Sequence, residues 1–178
     1  MAGLLDLGPE ELRARLLAFD RAVALKFPDH VFRLVIVGGG ALVLLGYLAR
    51  PTSDLDVLSV PRELEPLLAG YDLSGRVNAF IDHFAYNMED RLVPLELPTR
   101  AVAFSTASLE DIVASKLHSD RTVDVADVRN PEIVAALDWV RLEMVVEDMK
   151  GSVLNERRYQ LFLSNYREYR REFGPCDT

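Results

Sequence analysis

The stretch RLVIVGGGALVLLGYLARPTSDLDVLSV, residues 33–60, decides how the rest of the chain is read. It runs apolar, breaks at Gly38, Gly39 and Gly40, runs apolar again, and closes on Asp54 and Asp56 with one leucine between them. The first apolar run, from Val31, reads as a buried strand, because β-branched residues crowd it and a glycine turn ends it. GALVLLGYLA is apolar on every side, the pattern of a helix covered by a sheet and its neighbours. LDVLSV is a second strand. Two positions apart on that strand, Asp54 and Asp56 point to one face and leave Leu55 and Val57 to the core.

Working outward, Pro9, Glu10 and Glu11 open a helix expected to run to about Lys26, with Leu12, Leu16, Phe19, Val23 and Leu25 on one side. A short helix is expected in RELEPLLAGY. RVNAFIDHF, RLVPLEL and RAVAF are three short β candidates between polar or proline-containing turns. From Ser108 the character changes. SLEDIVASKLHS begins with Ser108 as N-cap and Asp111 three residues on, NPEIVAALDWVRLEMVVEDMKG reads as one long helix, and Tyr159, Phe162, Tyr166, Tyr169 and Phe173 form one helical stripe of core. The Arg and Glu residues on the other side of that last helix read as a solvated face. The fold class is therefore α/β (α+β): a core over residues 1–107 with a mixed sheet flanked by helices, and a C-terminal helical layer over 108–178.

Composition narrows the function classes. At 178 residues, with 49% hydrophobic and 27% charged residues, the chain is an ordinary globular protein without a repeat or a long linker. A net charge of −8 argues against a general nucleic-acid coat, which needs a surplus of Lys and Arg. The single cysteine, Cys176, builds no disulfide framework, so a reducing, cytoplasmic setting is expected. MAGLLDLGPEELRARLL lacks a basic n-region before an apolar core and reads as the start of the fold rather than a signal peptide. Residues 34–49 fall short of the roughly 18 to 20 apolar residues of a membrane span, so no membrane role is expected. His30, His83 and His118 lack ligand spacing for zinc.

A strand that ends in glycines before a helix presents backbone N–H groups that suit a phosphate. Two carboxylates about 6 Å apart repel by about 3 kcal/mol at an effective dielectric of about 20, which a divalent cation relieves. Mg²⁺ takes one or two carboxylates together with substrate phosphates.

These residues carry a resemblance. GGGALVLLGYLARPTSDLDVLSV resembles the signature of the DNA polymerase β-like nucleotidyltransferase superfamily, and within it the AbiEii-type toxins of type IV toxin–antitoxin and abortive-infection systems. The match rests on Gly38, Gly39, Ala41, Arg50, Thr52, Asp54, Leu55 and Asp56, then downstream on Glu110, Asp111, Lys116, Arg121, Asp124 and Asp127. Val123 stands where that branch often has a basic residue. The resemblance implies a nucleotidyltransferase fold and a Mg²⁺-dependent transfer of NMP from an NTP, with Mn²⁺ as alternative, to tRNA or another macromolecule, and a cognate antitoxin as partner. It implies Asp54 and Asp56 as metal ligands, Gly38, Gly39, Thr52 and Ser53 at the triphosphate, and Lys116 against the charge of the leaving phosphates. Asp124 is the base, the group that orients Lys116, or a helix cap. The superfamily adds a third carboxylate from a neighbouring strand, for which Asp82 is the first candidate and Glu96 the second. A rival reading is a non-catalytic module that keeps the fold and binds a nucleotide or a partner.

Overall fold

The computed structural model describes residues 8–52 and 55–175. The first seven residues, Ser53, Asp54 and the last three residues, Cys176 among them, lie outside that description, and so do the expectations that fall on them. The chain divides into two compact units: one holds the chain up to Ala79 together with Leu92–Ala107, the other Phe80–Arg91 together with the chain from Ser108.

In the first unit, α1 spans Pro9–Lys26, with Pro9 in its first turn, Glu10 and Glu11 beside it and Lys26 in its last turn. Leu12, Leu16, Phe19 and Val23 are fully buried at helical spacing. Leu25, expected on the same side, is 86% exposed, because a step of two from Val23 carries it around the helix. Buried Asp20 on this helix accepts the backbone N–H groups of Arg100, Ala101 and Val102 at 2.8 to 3.1 Å, which anchors the start of a strand far along the chain.

β1 (Phe32–Val37) leads through the glycines into α2 (Gly38–Leu44), and β2 (Leu55–Leu58) returns antiparallel to β1. Gly46 ends α2 at φ +83°, where Tyr47 N–H donates to Leu42 and Gly46 N–H to Val43, a Schellman motif. After a short α3 (Glu65–Leu68), β3 (Leu73–Ser74) pairs parallel with β2. β4 (Val93–Pro94) and β5 (Val102–Thr106) complete a mixed five-stranded sheet in the order β3-β2-β1-β5-β4. The sheet has two unlike faces. Leu34, Ile36, Leu55, Val57, Leu73, Val102, Phe104 and Thr106 share one and are all buried. Their alternates include Arg33, Asp56, Ser74, Ala103 and Ser105, and none of these five is buried. The alternation that set the two aspartates apart from Leu55 and Val57 therefore holds at Asp56.

In the second unit, α4 (Leu109–Lys116) starts at Ser108, whose Oγ accepts the Asp111 N–H at 3.1 Å and donates to the Asp111 carboxylate at 2.6 Å. α5 (Thr122–Val128) follows, then the expected long helix is two: α6 (Pro131–Ala136) and α7 (Trp139–Asp148). Leu137 turns to extended backbone and Asp138 restarts the helix, its side chain accepting the Arg141 N–H while its own N–H donates to Glu110. α8 (Glu156–Phe173) is capped by Asn155 and buries Tyr159, Phe162, Tyr166 and Tyr169 of the aromatic stripe read from the sequence, while Phe173, at the helix end, is only half-buried.

RVNAFIDHF does not form a strand. Arg76–His83 is a 3₁₀ segment kinked at Phe80. The part from Phe80 onward is tied into the helical unit by Arg91, whose guanidinium is bidentate on Asp111 at 2.9 Å and reaches Asn87 at 3.1 Å. Among the described residues no helix is long and apolar enough to cross a membrane.

Candidate functional site

The glycine turn and Asp56 meet. Val37 and Asp56 are register partners, and Gly38 follows at φ +68°, a conformation that suits glycine. A Cβ on Gly38 would stand 3.2 Å from Asp56 Oδ2, and one on Gly39 would stand 3.1 Å from an Arg50 guanidinium nitrogen. Bare backbone, a carboxylate and a guanidinium thus share one end of β1. Arg50 matched the sequence motif without receiving a role, and its place over Gly39 shows only in three dimensions. Thr52 is buried just before β2. Ser53 and Asp54 lie outside the described residues.

The sheet does not supply the third carboxylate in the expected way. The strand beside β2 is β3, and Ser74 is the residue in register with Asp56. Asp82 was expected on a neighbouring strand and instead lies in the 3₁₀ segment, in the part of the chain that belongs to the helical unit. Glu96 follows β4 on the opposite edge of the sheet, with β1 and β5 between β4 and β2, and it is exposed. Among the described residues no group of three or more His, Cys, Asp or Glu gathers as a metal cage. Asp56 brings hard oxygen donors to the Gly38 backbone, a donor chemistry that fits Mg²⁺ shared with substrate phosphates.

A second cluster lies within the helical unit. Lys116, in the last turn of α4, is 7% exposed, and its Nζ donates to Asp124 at 2.5 Å and pairs with Asp127 at 2.9 Å. Both aspartates come from α5, three residues apart and hence on one face. Ser119 donates to the other Asp124 oxygen at 2.7 Å. Burial pushes the Asp124 carboxyl up, yet the hydrogen bond and charge of Lys116, the Ser119 hydrogen bond and the Arg121 guanidinium together hold it below the ordinary aspartate value. A carboxylate held in this way is a weak proton acceptor, and it grips the Lys116 ammonium from the next helix.

The three-dimensional fold also joins two histidines that the sequence left scattered. His118 is sandwiched between Phe162, at 4.0 Å and 6° between ring planes, and His83, at 4.5 Å and 12°. Burial, with the neighbouring His83, pulls His118 down to about 4, and burial lowers His83 as well. Stacked neutral rings face one another instead of converging on an ion. Only the contact between segments far apart in sequence reveals them.

No curated protein and no solved structure matches the chain. A family model described as "Nucleotidyltransferase of unknown function (DUF6036)" matches residues 14–174, a span that takes in both units. With nearly its whole length matched, the chain belongs to that nucleotidyltransferase family.

Proposed function

We propose that this protein transfers a nucleoside monophosphate from an NTP to an acceptor in a reaction that depends on Mg²⁺ or Mn²⁺. The observation that carries the reading is the Asp56 carboxylate set against the Gly38 turn on the more open face of the sheet. Gly38 and Gly39 let a triphosphate approach the main chain, and Arg50 over Gly39 supplies a cation for it. Thr52 and Ser53 precede the strand and contribute their hydroxyls. Asp56, with Asp54, would hold the metal. The metal supplies charge neutralisation at the reacting phosphate and orients the nucleophile; the protein's own work is alignment and electrostatic stabilisation.

For Lys116 we propose a part different from the one the sequence suggests. Asp124 and Asp127 both hold its ammonium, and Arg121 lies beside Asp124, so the cluster is balanced within itself and has no surplus cation for growing charge on a leaving pyrophosphate. We assign it to holding α4 against α5, with Asp124 as its orienting partner. The toxin role and an antitoxin partner belong to the same proposal through the AbiEii resemblance, and the acceptor, macromolecular in that resemblance, is what the labelling experiment identifies.

The rival, a module that binds nucleotide without turnover, draws on Ser74 standing where a strand-borne third carboxylate would be. One experiment separates the two: NTPs labelled at the α-phosphate are incubated with cell extract and Mg²⁺, with wild type and with Asp56→Asn. Label transferred to an acceptor, with pyrophosphate released and both lost in Asp56→Asn and in EDTA, is the expected result. NTP binding with no pyrophosphate released in any extract overturns the enzymatic reading in favour of the module.

A further inference from the structure

The sheet edge beside Asp56 holds a cavity of about 530 Å³ between α3 and the chain that follows β3. That is the size of a site for a whole small molecule. Ser74 lines it and is the register partner of Asp56, so the two side chains share a sheet face on strands about 4.8 Å apart. Of the other polar groups in the wall, two are already engaged. Asp72 pairs with Arg15 at 3.1 Å, and Asn78 accepts the Ser59 N–H through Oδ1 while its amide donates to Gly75. Ser74 Oγ accepts the Arg76 N–H at 3.4 Å, which leaves its own proton to donate. The Arg76 side chain is exposed and, among the described residues, has no ion pair.

We propose that this cavity is the acceptor site: it takes a small hydroxy compound that carries an oxyanion, either carboxylate or phosphate. Arg76 holds the oxyanion, and the hydroxyl lies by Ser74 next to Asp56. A guanidinium at the lip of a pocket, with no ion pair among the described residues, is suited to bidentate recognition of such a group. The charge balance selects a small acceptor over RNA. Arg15 neutralises Asp72, so Arg76 faces Glu65 alone in the wall: one cation can meet one oxyanion but supplies no run of positive charge for a polyanion, which a protein of net charge −8 repels. In the transfer, the acceptor oxygen forms a bond to the α-phosphorus and the bond from that phosphorus to the bridging oxygen of the β-phosphate breaks. Pyrophosphate leaves, and the hydroxyl proton passes to solvent.

The role as acceptor rests on the nucleotidyl-transfer reading, whereas binding in the cavity does not. Glycerate serves as the carboxylate probe, glycerol phosphate as the phosphate probe, and a 3′-hydroxyl RNA oligonucleotide as the polyanion. Calorimetry without NTP or metal compares wild type with Arg76→Gln, whose fold is verified by its melting curve. Binding of at least one small probe, weakened about tenfold or more in Arg76→Gln, is expected. The same three compounds are then offered with α-labelled NTP and Mg²⁺, and label is expected on the small probe that binds. Label on RNA alone overturns the acceptor site and leaves the transfer reading intact. A small probe bound through Arg76 with no compound labelled keeps the cavity as a binding site and removes its role as acceptor site. Neither small probe bound, or equal binding in Arg76→Gln, overturns the site altogether.

Discussion

Replacing Lys116 with methionine should unfold the helical unit more readily than any loss of a surface lysine could. Methionine keeps much of the stem, so the change is the loss of the ammonium from between Asp124 at 2.5 Å and Asp127 at 2.9 Å. Those carboxylates are 8% and 2% exposed, so water cannot solvate them in its place. Breaking a buried ionic cluster by removing one side costs about 3 to 5 kcal/mol. Against a total stability of about 5 to 15 kcal/mol, that is a large share. Urea unfolding measures it as a lower midpoint at unchanged slope. The companion variant Lys116→Met/Asp124→Asn/Asp127→Asn removes all three charges and should recover most of the loss, because an uncharged cluster of similar volume has nothing left to desolvate. A Lys116→Met cost below about 1 kcal/mol would refute the reasoning. The triple variant also decides what the lysine does. With stability restored, nucleotidyl transfer should stay near the wild-type rate if Lys116 only braces α4. A fall of about 10²- to 10³-fold, the scale for removing a stabilising donor from a transition state, would return it to the phosphates.

Gly38→Ala should strain a φ of +68° and push a methyl against Asp56 Oδ2 at 3.2 Å, with a cost of about 1 to 2 kcal/mol in melting stability and a larger proportional loss of transfer. Full activity in that variant would detach the glycine turn from the carboxylate. Asp20→Ala strips the acceptor from three backbone N–H groups at the start of β5 and should cost about 3 to 5 kcal/mol in urea, with Asp20→Asn recovering part; a loss under about 1 kcal/mol would show that water replaces the carboxylate. His118, at about 4 when folded and 6.5 when unfolded, takes up its proton more readily in the unfolded chain between those values. Stability should therefore fall as pH drops from about 6.5 to about 4, by at most about 3 kcal/mol, and His118→Phe should flatten that stretch of the pH–stability curve.

Local patterns were legible wherever the chain's own chemistry settles the backbone. Pro9 with two glutamates, Ser108 with Asp111, and the aromatic steps along α8 each gave their helix, since caps and apolar periodicity act within a few residues. Alternation along LDVL separated Asp56 from Leu55 and Val57, and the sheet keeps that separation. What the sequence hid depends on partners far along the chain. RVNAFIDHF alternates like a strand, but pairing needs a neighbour with free backbone groups, and β3 leaves the sheet after Ser74. The break at Leu137 and Asp138 was masked by continuous apolar spacing, although Asp138 is a good N-cap and Glu110 meets its backbone from another helix. The two carboxylates around Lys116 show the same limit. The lysine's motif spacing is that of a residue reserved for substrate, yet spacing reports only which groups lie on a helix face. Whether a cation is available is set by what the next helix brings to it, and α5 brings two carboxylates. Asp56 and Gly38 are the opposite case: the antiparallel return of a four-residue strand beside a tight turn leaves the carboxylate little choice but to stand over the glycine backbone, so their closeness follows from elements that the residue order already marks.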